Sequence, residues 1–209
     1  MLRHVLLIAA IVAFAAPAAA QAQDWQVRND QSQSASDPDN TSEIQFTALG
    51  TGGFRYVGGP AGTLWMPSET ATGNYTLSAT FTLNEPSSHT NYYGLVFGGS
   101  NLDAANQQYI YFLVAQDGTF LIKRRDGEGT SDIQNGTENG AVMMPSGAGR
   151  SANTLEVRIS GDTITYVVNR VVVHTTPKTG AAAVTDGIVG ARINHVTNVT
   201  VSNFRLVQQ

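Results

Sequence analysis

Between Tyr92 and Arg125 the chain reads YYGLVFGGSNLDAANQQYIYFLVAQDGTFLIKRR, and this stretch narrows the possible folds more than any other. Tyr92–Phe97, Tyr109–Ala115 and Phe120–Arg125 are short runs of aromatic and β-branched residues, the composition of strands. Asp117-Gly118 separates the last two runs. Both residues tolerate the positive φ that a tight turn requires, so these runs form a hairpin. Tyr109–Val114 is apolar on both faces. That predicts a central strand, or one whose outward face lines a groove.

The rest of the chain repeats the theme. Tyr75, Leu77, Ala79, Phe81 and Leu83 alternate with Thr76, Ser78, Thr80 and Thr82, which predicts one buried face and one wet face. Leu155–Ile159, Ile164–Val168 and Val171–His174 form a meander across the turns Gly161-Asp162 and Asn169-Arg170. Shorter strands are expected at Ile44–Leu49, Phe54–Val57, Thr63–Met66 and Gly187–Ile193. In the last strand Val199 and Val201 follow one phase while Phe204 and Leu206 follow the other. A phase change within a strand predicts a bulge, here at Ser202-Asn203. Gly98-Gly99 and Gly58-Gly59 read as turns, and the polar stretch from Asp126 to Gly140 reads as a long exposed loop. No segment of useful length has a helical period. The expected fold is all-β, an antiparallel two-sheet sandwich. An outer-membrane barrel also alternates, but these strands vary in length, lack aromatic girdles and end in Gln208-Gln209.

The N-terminus reads as an address rather than as structure. A basic start at Arg3 and His4 precedes an apolar run from Val5 to Ala16, then Pro17 and small residues. That is a secretory signal, expected to span residues 1–22, and its apolar run is well short of the ~20 residues of a membrane span. It implies a secreted or periplasmic protein, with an Ala-rich, bacterial style of signal. Residues 23–62 read as a lead-in with short strands, part of the same domain as the sandwich core at 63–209. With no cysteine, stability must come from the core rather than from disulfides. The net charge of −4 argues against nucleic acid, which wants a basic face.

The succession NYTLSATFTL, YYGLVFGG, QQYIYFLVAQDGTFLIKRR, NTLEVRISGDTITYVVNRVVV, DGIVGARI and VTVSNFRL resembles the concanavalin A-like lectin/glucanase superfamily. In style it is similar to laminin-G-like domains and to the 3-keto-disaccharide hydrolase-type domain of secreted bacterial proteins. The likeness runs from about Trp65 to Leu206 and lies in strand order and turn placement. It implies a jelly-roll of two curved sheets, the concave one often carrying a sugar or peptide site. Lectins, glycosidases and pure interaction domains share that fold, so fold alone does not give function. The retaining glucanases of the superfamily carry a Glu-x-Asp-x-Glu strand, which is absent here. Gln108 and Gly98 stand where the hydrolase-type domain would have an acid and an arginine.

Carbohydrate or glycoconjugate is the expected partner. Sugar rings stack on aromatic faces while polar side chains bond their hydroxyls. Tyr109 and Tyr111 share one face of their strand, opposite Ile110, Phe112 and Val114. If the aliphatic face is the core, the tyrosines point to the groove, with Tyr92 or Tyr93, Trp65 and Arg124 as neighbours. An enzyme of glycoside hydrolase type would need a carboxylate pair, for which Glu69, Glu156 and the strand-initial Glu43 are the candidates. A structural or protein-interaction module is the third class, and it predicts an apolar surface patch. Asp126, Glu128 and Asp132 would supply oxygen ligands if a Ca²⁺ ion were bound, but they lack an EF-hand or RTX spacing. His89, His174 and His195 have no transition-metal spacing, so no cofactor is implied.

Overall fold

A computed structural model describes residues 25–30, 43–50, 52–86, 88, 90–147 and 149–209. The signal reading of residues 1–22 and His89 lie outside them. The chain forms strands β1 (Gln26–Asp30), β2 (Gln45–Ala48), β3 (Phe54–Gly58), β4 (Ala61–Ala71) and β5 (Tyr75–Leu83). These are followed by β6 (Tyr92–Ser100), β7 (Gln108–Ala115), β8 (Thr119–Asp126), β9 (Gly129–Glu138) and β10 (Ser151–Ser160). The last four are β11 (Thr163–Val168), β12 (Val171–Pro177), β13 (Gly187–Ile193) and β14 (Thr197–Gln208). They build two seven-stranded sheets, ordered β1-β4-β13-β6-β7-β8-β9 and β12-β11-β10-β5-β14-β3-β2. Every pairing is antiparallel. The architecture is the two-sheet antiparallel sandwich that the alternation predicts.

The core is what the period-two pattern places between the sheets. Leu64, Leu95, Phe97, Ile110, Phe112, Val114 and Ile122 of the first sheet meet Leu77, Phe81, Leu155, Val157, Tyr166 and Val201 of the second. Burial of these side chains is the main favourable term in holding two sheets together without a disulfide. β7 is interior, between β6 and β8, although the middle place in its sheet belongs to β6.

Two departures have clear causes. The stretch from Asp126 to Gly140 is not a loop for most of its length: Gly127, at φ +57°, turns the chain back and β9 pairs with β8. An edge strand is held by backbone hydrogen bonds on one side only, so it needs no apolar alternation, and polar residues there deter pairing with other chains. Only Ile133 of this strand packs against the core. The second departure is Gly98-Gly99, which is not a turn but a bulge inside β6, where the register with β7 shifts between Phe97 and Ser100. Gly98 sits at φ +62°, and a Cβ there would lie 2.5 Å from the carbonyl oxygen of Val184, so glycine is required. The bulge expected at Ser202-Asn203 is present: β14 shifts register against β5 between Ser202 and Arg205, with Asn203 at φ +54°.

Candidate functional site

The face of the first sheet turned away from the core carries a second buried cluster, of Trp65, Val96, Leu102, Tyr109, Tyr111, Leu113 and Leu121, with Tyr92 and Ile188 packed against it. Its members follow from register. Trp65 pairs with Gly190, Gly190 with Val96, Val96 with Tyr111 and Tyr111 with Lys123, and residues directly opposite share a face.

This face is concave. The hydroxyl of Tyr109 on β7 lies 3.3 Å from Oγ1 of Thr63 on β4. Those strands are three places apart in the sheet. On a flat sheet their backbones would stand about 14 Å apart, more than these two side chains bridge, so the sheet curls toward them.

At the centre of the hollow is Arg192 of β13, 8% exposed. Its Nη1 donates to Asp30 Oδ2, to the Tyr109 hydroxyl at 2.9 Å and to Thr63 Oγ1 at 3.1 Å. Thr63 in turn donates to Asp30 Oδ2 at 3.1 Å. The other carboxylate oxygen of Asp30 accepts from Arg28 Nε at 2.8 Å. Arg28 also donates through Nη1 to the carbonyl of Ala104 at 2.6 Å, which ties β1 to the connection between β6 and β7. Leu102 of that connection is buried in the cluster, so the connection roofs part of the face. The guanidinium carbon of Arg192 stands 5.8 Å from the centre of the Tyr111 ring, within cation–π range.

Burial pushes the Asp30 carboxyl up, but the charge and hydrogen bond of Arg192, followed by those of Arg28, outweigh it and leave the group below the usual carboxylate range. Asp30 is therefore anionic and fully engaged. Burial pushes the Tyr111 hydroxyl up, and the nearby charges of Arg192 and, more weakly, of Lys123 and Arg125 offset only part of that rise. Beside this network a cleft of about 530 Å³ opens between β1, β4 and the β6–β7 connection. Gln26, Arg28, Trp65, Asn101, Asp103 and Ile188 are among its lining residues.

The candidate residues fall into two groups. Tyr109, Tyr111, Tyr92 and Trp65 share the concave face, but Tyr109, Tyr111 and Trp65 are buried, so they are not open stacking platforms. Tyr93 lies on the opposite side, inside the core, its ring 6.1 Å from that of Phe81. Arg124 is also out of phase with the tyrosines: it pairs with Ile110 in register and donates to Gln108 Oε1 at 3.3 Å. The basic residues in phase are Lys123, opposite Tyr111, and Arg125, opposite Tyr109.

Glu69 and Glu156 are not brought together, since one stands in β4 of the first sheet and the other in β10 of the second. Glu156 forms an ion pair with Arg158 of its own strand. Glu43 lines a separate cleft of about 390 Å³ with Glu85 and Asn198. Asp126 accepts from Gln108, and Asp132 pairs with Lys123 at 2.9 Å. Among the described residues, no three His, Cys, Asp or Glu side chains are placed to hold a metal ion, so Asp126, Glu128 and Asp132 do not form a calcium cage.

Arg192, Asp30, Arg28 and Thr63 are missed by the sequence reading. One signal was available: Arg192 interrupts the otherwise small and apolar strand GIVGARI. A charge inside such a strand needs a buried partner. Nothing in the sequence says that the partner lies 162 residues away.

No family model matches the sequence, and no curated protein matches it. Solved structures do share the fold. The carbohydrate binding module CBM66 from Bacillus subtilis is 12% identical, with a TM-score of 0.60 over 80% of this chain and 94% of the module. A protein of unknown function with a galectin-like fold, also from Bacillus subtilis, is 11% identical, with a TM-score of 0.59 over 90% of each chain. A single-site variant of the carbohydrate recognition domain of Emp46p is 14% identical, with a TM-score of 0.54 over 88% of this chain and 87% of that domain. At such identities the likeness is one of fold. The chain has the jelly-roll sandwich of galectin-like and other lectin-type structures, the fold implied by its resemblance to the concanavalin A-like superfamily.

Proposed function

We propose that this protein binds carbohydrate or glycoconjugate on the concave face of its first sheet, without catalysis, outside the cytoplasm. The observation that carries the reading is the cleft beside the Arg192–Asp30 network. Val27, Pro67, Ile188 and the edge of the largely buried Trp65 form an apolar wall there, beside Arg28, Asp103, Asn101 and Gln26. That combination of an apolar wall and a few polar groups is what a sugar site needs. The fold supports it, since the module and the recognition domain named above are described as carbohydrate-binding.

The state of Asp30 supports the non-catalytic part. A glycosidase acid must hold a proton near neutral pH, and its partner carboxylate must be free to attack or to activate water. Asp30 is held ionised, and both its oxygens are engaged by Arg28, Arg192 and Thr63. Asp103 is the only carboxylate lining that cleft among the described residues, so no carboxylate pair is ready for hydrolysis there.

The test is a thermal-shift screen of the whole protein against a glycan panel, with calcium and with chelator. A binding sugar at a hundredfold excess over its Kd adds about 2.7 kcal/mol of stability and raises the melting temperature. Asn101→Gly, which tolerates the φ of +51° at that position, and Asp103→Ala, both at exposed positions, should fold normally and lose the response. Binding that survives both substitutions would place the sugar elsewhere. Tyr109→Ala is unsuitable, because the residue is fully buried and its loss reports stability rather than binding.

A further inference from the structure

A buried ion pair loses much of its attraction to desolvation, and apolar side chains of similar volume often hold a fold as well. The network of Asp30, Arg192 and Arg28 therefore calls for a reason besides stability, and Arg28 supplies one. Its Nε donates to Asp30 Oδ1 at 2.8 Å, while Nη1 donates to the carbonyl of Ala104 at 2.6 Å and reaches that of Leu102 at 3.5 Å. One planar guanidinium thus joins β1 to the β6–β7 connection, residues 101–107.

That connection is the wall of the cleft that carries Asn101 and Asp103. The hydrogen bonds from Ala104 N–H to the Asn101 carbonyl and from Gln107 N–H to the Ala104 carbonyl lie within it, so they set its shape and not its place. Among the described residues, three contacts set its place. The Gln107 carbonyl accepts from Gly127 N–H at 2.8 Å, at the end away from Asn101. The Leu102 side chain is buried in the apolar cluster, a contact without direction. Arg28 is the third, and its rigid fork fixes both distance and angle. Behind the fork, Asp30 is itself held by Arg192 and Thr63, so the position of Arg28 is set from the centre of the sheet.

We infer that Arg28 is the positioning residue of the cleft: it holds the wall bearing Asn101 and Asp103 in the arrangement that receives a ligand, and the buried network serves that placement. This rests on the carbohydrate reading above for what the cleft takes, and adds how the site is kept ready. A wall already in place spares the ligand the cost of ordering it.

The experiment compares Arg28→Lys and Arg28→Met with wild type in the full chain. Lysine keeps a positive charge beside Asp30 but has no fork to hold the connection as well, and methionine removes both. The first measurement is hydrogen exchange without ligand. The amides of Ala104 and Gln107 should exchange about tenfold faster in Arg28→Lys, the effect of one lost charge-assisted hydrogen bond on local opening, while those of Tyr75–Leu83 keep their wild-type rates. The second is biosensor kinetics with neutral tetrasaccharides of glucose, mannose, galactose and xylose. Affinity should fall roughly tenfold through a slower association rate, because the competent arrangement is populated less often. Loss of a direct contact to the sugar would instead quicken dissociation. Unchanged exchange in both variants, faster exchange that extends to Tyr75–Leu83, or an affinity loss confined to dissociation overturns the inference. Silence from every tetrasaccharide on the wild type counts against the carbohydrate reading, and the exchange result alone then decides the role of Arg28.

Discussion

The concave face depends on the buried ion pair of Asp30 and Arg192. The Asp30 side chain is 6% exposed, and a buried ion pair broken from one side leaves the other charge stranded. We expect Asp30→Asn to lower stability by about 3–5 kcal/mol in urea denaturation at neutral pH. The pH dependence has a definite sign. Asp30 titrates lower in the folded chain than its ordinary value of 3.8, so its contribution is complete above that value and disappears as pH falls through the lower folded one. The stability gap between wild type and Asp30→Asn should therefore be flat at neutral pH and close only in strong acid. At this scale the sequence was half legible. Period two put Tyr109 and Tyr111 on one face and Ile110, Phe112 and Val114 on the other, as they are. Arg124 was misassigned by a single residue, and in a strand one residue is the difference between the two faces. Asp30 was invisible because it lies in a polar lead-in, where an Asp looks like solvent-facing filler until β1 is seen beside β4.

At the scale of elements, strands with a buried face announce themselves and strands without one do not. β5 occupies the span that alternation assigns it, Tyr75–Leu83, and β13 the expected strand Gly187–Ile193. β9 has no buried face, and its sequence GTSDIQNGTE is that of a loop by every compositional measure. Its existence is decided by the free edge of β8, a property of the sheet and not of the segment. Hydrogen exchange separates the two descriptions. The β9 amides bonded to β8 should exchange markedly more slowly than those of the exposed segment after Glu138. Uniformly fast exchange from Gly129 to Gly140 would return the stretch to a loop. The same element supplies Asp132 to Lys123, so β9 also sets how strongly one side of the hollow is charged.

For the whole molecule, the order of strands in space matters more than their order in the chain. β14 lies between β5 and β3, and β13 lies between β4 and β6. Deleting Thr197–Gln208 would divide the second sheet into β12-β11-β10-β5 and β3-β2, each with a new raw edge. We expect that truncated chain to show no cooperative thermal transition in calorimetry, whereas trimming Gln209 alone should change little. No local signal in the sequence encodes this insertion. Turn chemistry specifies which neighbours follow one another, and it is silent about strands that return from far along the chain. During synthesis the consequence is a matter of timing. Each sheet waits for a strand that follows both of its neighbours in the chain, and contacts between distant segments are slow to form. A half-made chain on the ribosome therefore has hairpins but no finished sheet, and the hollow with its buried arginine exists only once β13 has emerged.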